Sequence, residues 1–145
     1  MTQKKYEVEV IRHSLSHVMA AAVVEMFPEA KLGIGPAIEN GFYYDFEYAQ
    51  TFTPDDLEKI EKRMREICAA DYPFVREELK RSEAIGLFAR RKEDYKVELI
   101  NDLPADVEIV SIYKDGDYID LCRGPHVPST GMVRAFKLLN VAGAY

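Results

Sequence analysis

The segment RHSLSHVMAAAVVEMF, residues 12–27, limits the fold more than any other feature of the chain. At about 100° per residue it reads as a helix over residues 11–27, stopped by Pro28. Leu15, Val18, Met19, Ala22, Val23 and Met26 gather on one face. His13, His17, Ala20, Ala21 and Val24 lie on the other, where a surface helix would carry Lys and Glu. Such a helix is covered twice: one side belongs to a core, and the other floors a pocket.

The remaining punctuation supplies partners for it. Thr53-Pro54 is a helix start, a capping hydroxyl followed by proline in the first turn, and the helix runs to about Ala70. Leu57, Ile60, Met64 and Ile67 give it a single apolar stripe, and Cys68 is a buried thiol beside that stripe. Ser82 is expected to cap a shorter helix ending near Arg90. Strands are expected at Leu32–Ile34, Phe42–Phe46, Tyr72–Leu79, Val97–Ile100, Glu108–Lys114, Tyr118–Leu121 and Arg134–Val141. GPAIENG is read as a loop, and Asp115-Gly116 as a hairpin turn. Helices among hairpin-linked strands in 145 residues indicate one α+β domain with a mainly antiparallel sheet. Gly33-x-Gly35 has Ile38 where a dinucleotide fingerprint needs its third glycine, and there is no Walker lysine motif.

The second constraint is DLCRGPHV, residues 120–127. Gly124-Pro125 makes a continuous helix unfavourable, which places Cys122 and His126 on a loop. Alone, a His-x-x-x-His pair is more often a pair of satisfied buried histidines. Here all three histidines and one of the two cysteines fall into two sets at the same spacing, which indicates a joint site of His13, His17, Cys122 and His126. These are donors for tetrahedral zinc and equally the walls of a polar pocket without metal. Asp120, two residues before Cys122, shares its strand face and is suited to orient a histidine, hold a cation or accept a proton. Lys96 opens an expected strand, and Tyr43 and Tyr44 point to alternate sides of theirs.

Net charge is −6, which argues against strong autonomous nucleic-acid binding. Two cysteines make no disulfide framework, and MTQKKYEVEV lacks the apolar stretch of a signal peptide. With no apolar run long enough to span a bilayer, cytoplasmic residence is the expectation.

RHSLSHVMAAAV, LGIGPAIENGFYYDF, DYKVELI, DLCRGPHVPSTG and FKLLNVAGAY occur in one order. Together they closely resemble the editing domain of bacterial-type threonyl-tRNA synthetases, over nearly the whole chain from about Val8 to Tyr145. The His-x-x-x-His and Cys-x-x-x-His pairs are looser, being shared with editing domains of alanyl-tRNA synthetases.

The resemblance implies a curved, mainly antiparallel sheet with packed helices, the editing fold common to the two synthetases. It implies hydrolysis of seryl ester wrongly attached to the tRNA for threonine, since one methyl gives a synthetic site only about 1–3 kcal/mol of discrimination. Carried over by position, it makes His13, Lys96 and Asp120 catalytic, and makes His17, Tyr44, Cys122 and His126 substrate-binding. Arg123 is placed against the terminal nucleotides. It implies no metal for editing; if zinc is held, the ligands are His13, His17, Cys122 and His126. The partners implied are the 3′ end of the tRNA and the remaining synthetase domains. A full synthetase is much longer, so residues 1–145 are expected to be one editing domain of a larger enzyme, unable to activate threonine with ATP. Two other readings stand beside this one: a zinc-dependent, freestanding editor of mischarged alanine tRNA, and a non-catalytic module that binds tRNA ends.

Overall fold

A computed structural model describes residues 8–33, 37–38, 41–48, 52–122, 126–133 and 136–139. The order of elements is α1 (Val8–Met26), β1 (Lys31–Leu32), β2 (Ala37–Ile38), β3 (Gly41–Phe42), β4 (Phe46–Glu47), α2 (Pro54–Ala70), β5 (Val75–Lys80), α3 (Arg81–Arg90), α4 (Asp94–Asn101), β6 (Ile109–Asp115) and β7 (Tyr118–Leu121), then a 3-10 turn at Thr130–Met132. All described strand pairs are antiparallel, with β1 on β4, β2 on β3, and a three-stranded sheet in the order β5-β6-β7. This is the expected α+β class.

α1 is indeed covered twice, though it begins at Val8, ahead of the expected residue 11, and ends at Met26. Leu15, Val18, Ala22 and Val23 meet Ile60, Met64, Ile67 and Cys68 of α2 in one core, closed by Phe74, Tyr113, Val127 and Val133. Ala20, on the histidine side, packs with Leu32, Tyr44 and Tyr118. The α2 start also forms as expected. Thr53 Oγ1 accepts from Asp56 N at 3.1 Å, and Asp56 Oδ2 accepts from Thr53 N at 2.9 Å, satisfying two orphan donors.

The β6–β7 hairpin separates two chemistries. Ile112 sits opposite Leu121, and Tyr113 opposite Asp120. Strand alternation therefore sends Val110, Ile112, Ile119 and Leu121 to one face and Ser111, Tyr113, Asp115, Tyr118 and Asp120 to the other. The first face packs on Ala84 and Phe88 of α3 and Ile100 of α4. The second faces the histidines of α1. Asp115 pairs with Tyr118, so the two turn residues are Gly116 and Asp117, one place later than Asp115-Gly116. Gly116 has φ 60°, the positive angle that the first central position of a type II′ hairpin turn requires.

Several expected elements differ. Val97–Ile100 is not a strand: it lies in α4, with Lys96 and Ile100 buried four residues apart. The β-branched and apolar run VELI reads as a strand locally, but packing against α3 selects the helical period. Ser82 is not the cap of α3, which begins at Arg81 after Lys80 and has no side-chain cap bond. GPAIENG is not all loop, because β2 and β3 pair within and beside it. Phe42–Phe46 is split between β3 and β4, and Leu32 pairs with Phe46. Of Arg134–Val141, residues 136–139 form no strand, and the rest, like Ile34, lies outside the described residues.

Arg81 holds α4 in place. Its Nη1 donates to the carbonyls of Pro104 and Val107 at 2.8 and 3.2 Å, and Nη2 to those of Asn101 and Leu103 at 3.1 and 2.9 Å. A planar cation thereby satisfies carbonyls at the end of α4 and in the following loop.

Candidate functional site

α1, α4, the polar face of β6–β7 and the link between β3 and β4, which carries Tyr44, converge on Asp120. This residue is 4% exposed, yet both its oxygens are engaged. Lys96 Nζ, on α4, reaches Oδ1 at 2.9 Å. The hydroxyls of Tyr44 and Tyr118 donate to Oδ2 at 2.9 and 2.8 Å. Lys96 is 1% exposed and bonds a second carboxylate, Glu93 Oε1, at 2.8 Å. Its ammonium also lies 5.4 Å from the ring centres of Phe88 and Tyr118. A buried lysine so placed has the counter-charges that burial requires.

The four-residue set forms the neighbouring part of the site. One ligand atom each from His13, His17, Cys122 and His126 lies within 4.8 Å of the others. Cys122 Sγ is 3.5 Å from His13 Nε2 and 3.3 Å from His126 Nε2. His126 stacks on Phe74 at 5.1 Å between ring centres and meets Tyr113 edge-on at 4.3 Å. His17 is buried, whereas His13, Cys122 and His126 are half-buried. The site therefore has a closed part, Asp120, Lys96, Tyr44 and Tyr118, and a more open part made by the other three.

His17 links the two. Its Nδ1 lies 3.4 Å from Asp120 Oδ2, an ion pair only when the ring is protonated. The geometry is not that of a hydrogen bond, and Nδ1 has no hydrogen-bond partner among the described residues. Burial pushes the His17 pKa down to about 4, outweighing the opposite pull of Asp120. Burial, followed by the charges of His17 and His13, takes His126 down to about 2. Both rings are thus neutral near pH 7. Burial alone would raise Asp120, but Lys96, His17 and the hydrogen bonds it accepts hold it below the usual carboxylate range. Burial and the Asp120 charge raise both Tyr44 and Tyr118, which therefore stay as hydroxyl donors.

Three imidazoles and one thiol are a donor set that fits zinc, and contacts of 3.3–3.5 Å between donors are close to the edge of a zinc tetrahedron. An ion held by all four would have closed coordination, without a position for a reacting water.

The structure brings together His13, His17, Tyr44, Lys96, Asp120, Cys122 and His126. Arg123 lies outside the described residues. Tyr44 is buried in the site while Tyr43 is exposed, so the two differ in facing although the link between β3 and β4 that holds them is not a strand. Sequence reasoning missed three members. Tyr118 carried a signal, the two-residue spacing to Asp120 on a strand. Glu93 carried one only for a reader who takes DYKVELI as helix, where it stands three residues before Lys96. Ser14 carried none: its hydroxyl matters only because Val127 and His126 arrive beside it.

Residues 110–143 match the family described as threonyl and alanyl tRNA synthetase second additional domain. Among curated proteins, the chain is 60% identical to a threonine–tRNA ligase of Symbiobacterium thermophilum, over 94% of this chain and 21% of that protein. It is 59% identical to that of Pelobacter propionicus, over 100% of this chain and 23% of the relative. For the ligase of Syntrophomonas wolfei the identity is 57%, over 94% and 21%. The chain thus spans about a fifth of the length of the curated relatives it matches. No helix among the described residues is long and apolar enough to cross a membrane.

Proposed function

The chain carries the second additional domain of threonyl and alanyl tRNA synthetases and is homologous to one stretch of threonine–tRNA ligases, and from this premise we propose that its site hydrolyses seryl ester on the tRNA for threonine. The observation that carries the reading is the convergence on Asp120. A lysine, two tyrosyl hydroxyls and a histidine meet one buried carboxylate beside a half-open wall of His13, Cys122 and His126.

An aminoacyl ester needs no strong nucleophile. Water must be held in line with the carbonyl, and the departing ribose oxygen must receive a proton. The half-open His13 is assigned the ribose end and the water. Lys96 and Asp120 form a fixed charge pair, at which a seryl ammonium or the developing oxyanion is stabilised by an arrangement already in place. Tyr44 holds Asp120, while His17, Cys122 and His126 are assigned the walls of the seryl pocket, which on this reading admits serine and excludes threonine. The reading routes no step through a metal; zinc on His13, His17, Cys122 and His126 would supply only rigidity to the pocket wall. The tRNA body and the other synthetase domains are the proposed partners, and they supply the tight binding that a chain of charge −6 does not favour.

The test is release of serine from seryl-tRNA for threonine by the purified chain, with threonyl-tRNA as the comparison and a chelator arm. Serine release that exceeds threonine release and survives the chelator is the expected result. Loss of activity with the chelator, together with hydrolysis of mischarged alanine tRNA, would support a zinc-dependent alanine editor instead. No hydrolysis at saturating protein would leave a tRNA-end-binding module.

A further inference from the structure

We propose that Ser14 is a positioning residue that locks His126 in the tautomer with its proton on Nδ1, so that Nε2 presents a lone pair to the site. The argument is a proton count at one oxygen. Ser14 Oγ lies 2.8 Å from the carbonyl oxygen of Val10, 3.0 Å from the backbone nitrogen of Val127 and 3.1 Å from His126 Nδ1. A serine hydroxyl has one proton to give and two lone pairs. Val10 O cannot supply a proton, and two oxygens 2.8 Å apart without a hydrogen between them repel. The hydroxyl proton therefore goes to Val10. Val127 N–H takes one lone pair. The remaining lone pair faces Nδ1, which must then be the donor.

The neutral ring consequently carries no proton on Nε2. That atom lies 3.3 Å from Cys122 Sγ, at the half-open part of the site. The tautomer runs against intrinsic chemistry, since neutral imidazole side chains in water favour the proton on Nε2. Ser14 itself is fully buried. Its contact with Val127 also fixes the chain just after His126, so one hydroxyl sets both the placement and the polarity of the ring. An acceptor facing the pocket takes a proton-bearing group, either the Cys122 thiol or an O–H or N–H of a bound acyl group. The alternative tautomer would present an N–H there, reversing the direction of a bond to a hydroxyl or thiol and opposing a donor-only N–H. The inference concerns the protein without ligand and stands whether or not the site hydrolyses an ester.

Nitrogen-15 spectra of the histidine side chains near pH 7, with a chelator present so that no metal imposes the tautomer, test it directly. The wild-type chain should show His126 with a protonated Nδ1 and a bare Nε2. In Ser14→Ala the population should shift towards the Nε2 proton, while backbone amide signals of α3 and α4 stay in place. A wild-type His126 protonated on Nε2 would overturn the proposal. So would an unchanged Nδ1 proton in Ser14→Ala, because another group would then hold the tautomer. Should Ser14→Ala not fold, the wild-type spectrum still decides the tautomer, and Ser14→Cys, whose sulfur is a weaker acceptor, carries the second arm with a mixed population expected.

Discussion

The two faces of the β6–β7 hairpin come from alternate residues of one short stretch, yet they do opposite work. Val110, Ile112, Ile119 and Leu121 enter hydrocarbon beneath α3 and α4. Tyr118 and Asp120 enter a polar layer against His17 of α1, and Tyr113 and Asp115 share their face. In β7 the polar pair is the deeper one, Tyr118 and Asp120 being buried and Ile119 and Leu121 only half-buried, so depth alone does not mark the structural residues here. Partners do. The polar face also contains its own internal contrast. Asp120 meets Lys96 and two hydroxyls and is held below the usual carboxylate range. Neither oxygen of Asp115 has a hydrogen-bond partner among the described residues, and burial, aided by the Asp120 charge, pushes it up to about 8.

If the faces divide stability from chemistry, substitutions on each should dissociate the two. Ile112→Ala, on the apolar face, should cost about 2–5 kcal/mol in denaturant unfolding and leave deacylation per folded molecule intact. A matching fall in specific activity would break the division. Asp120→Asn keeps the volume and removes the charge beside Lys96. It should lower serine release by about 100-fold per folded molecule, about 2.7 kcal/mol of barrier, and it also costs stability because buried Lys96 loses one of its two counter-charges. Unchanged rates would remove Asp120 from the chemistry.

Asp115 sharpens the contrast between the aspartates through pH. Its folded pKa of about 8 lies above the ordinary 3.8. Between those values the folded chain keeps a proton that the unfolded chain releases, so this group makes stability fall as pH rises through that window. Asp115→Asn should therefore gain on the order of 4 kcal/mol relative to wild type on going from pH 5 to pH 9, about 1.4 kcal/mol for each of the three or so units below the folded pKa. An identical pH profile for both proteins in thermal unfolding would show that Asp115 is already ionised in the fold. The smallest effect belongs to Lys114, at the rim, whose 3.2 Å bridge to Glu77 is more than a third exposed on both sides. Lys114→Ala should change unfolding free energy by less than about 1 kcal/mol, and less again in high salt.

These contrasts explain what could be read from the sequence. The twice-covered α1 was legible because small residues beside two histidines exclude a solvent face. The α2 start was legible because Thr53 and Pro54 act locally, within the first turn; Asp56 completes the cap in the structure. The His–His–Cys–His set was visible as rare residues at matched spacing. α4 was not, because VELI has strand character in isolation and only α3 and Arg81 impose the helix. Two-residue strands such as β2 and β3 leave no period to detect. Glu93 was hidden by the same error as α4, and Ser14 by the distance in sequence to Val127 and His126.

The two-residue turn at Gly116 and Asp117 has a consequence for how the gene can change. Ile119 and Leu121 alternate with Tyr118 and Asp120, so one codon added to or deleted from β7 would exchange the two sets across the sheet. Asp120 would then enter hydrocarbon, and Leu121 would stand against Lys96. Point changes can be absorbed one at a time along this hairpin. Length changes within β7 cannot, which makes its reading length, more than any single residue in it, the inherited property that keeps chemistry and core apart.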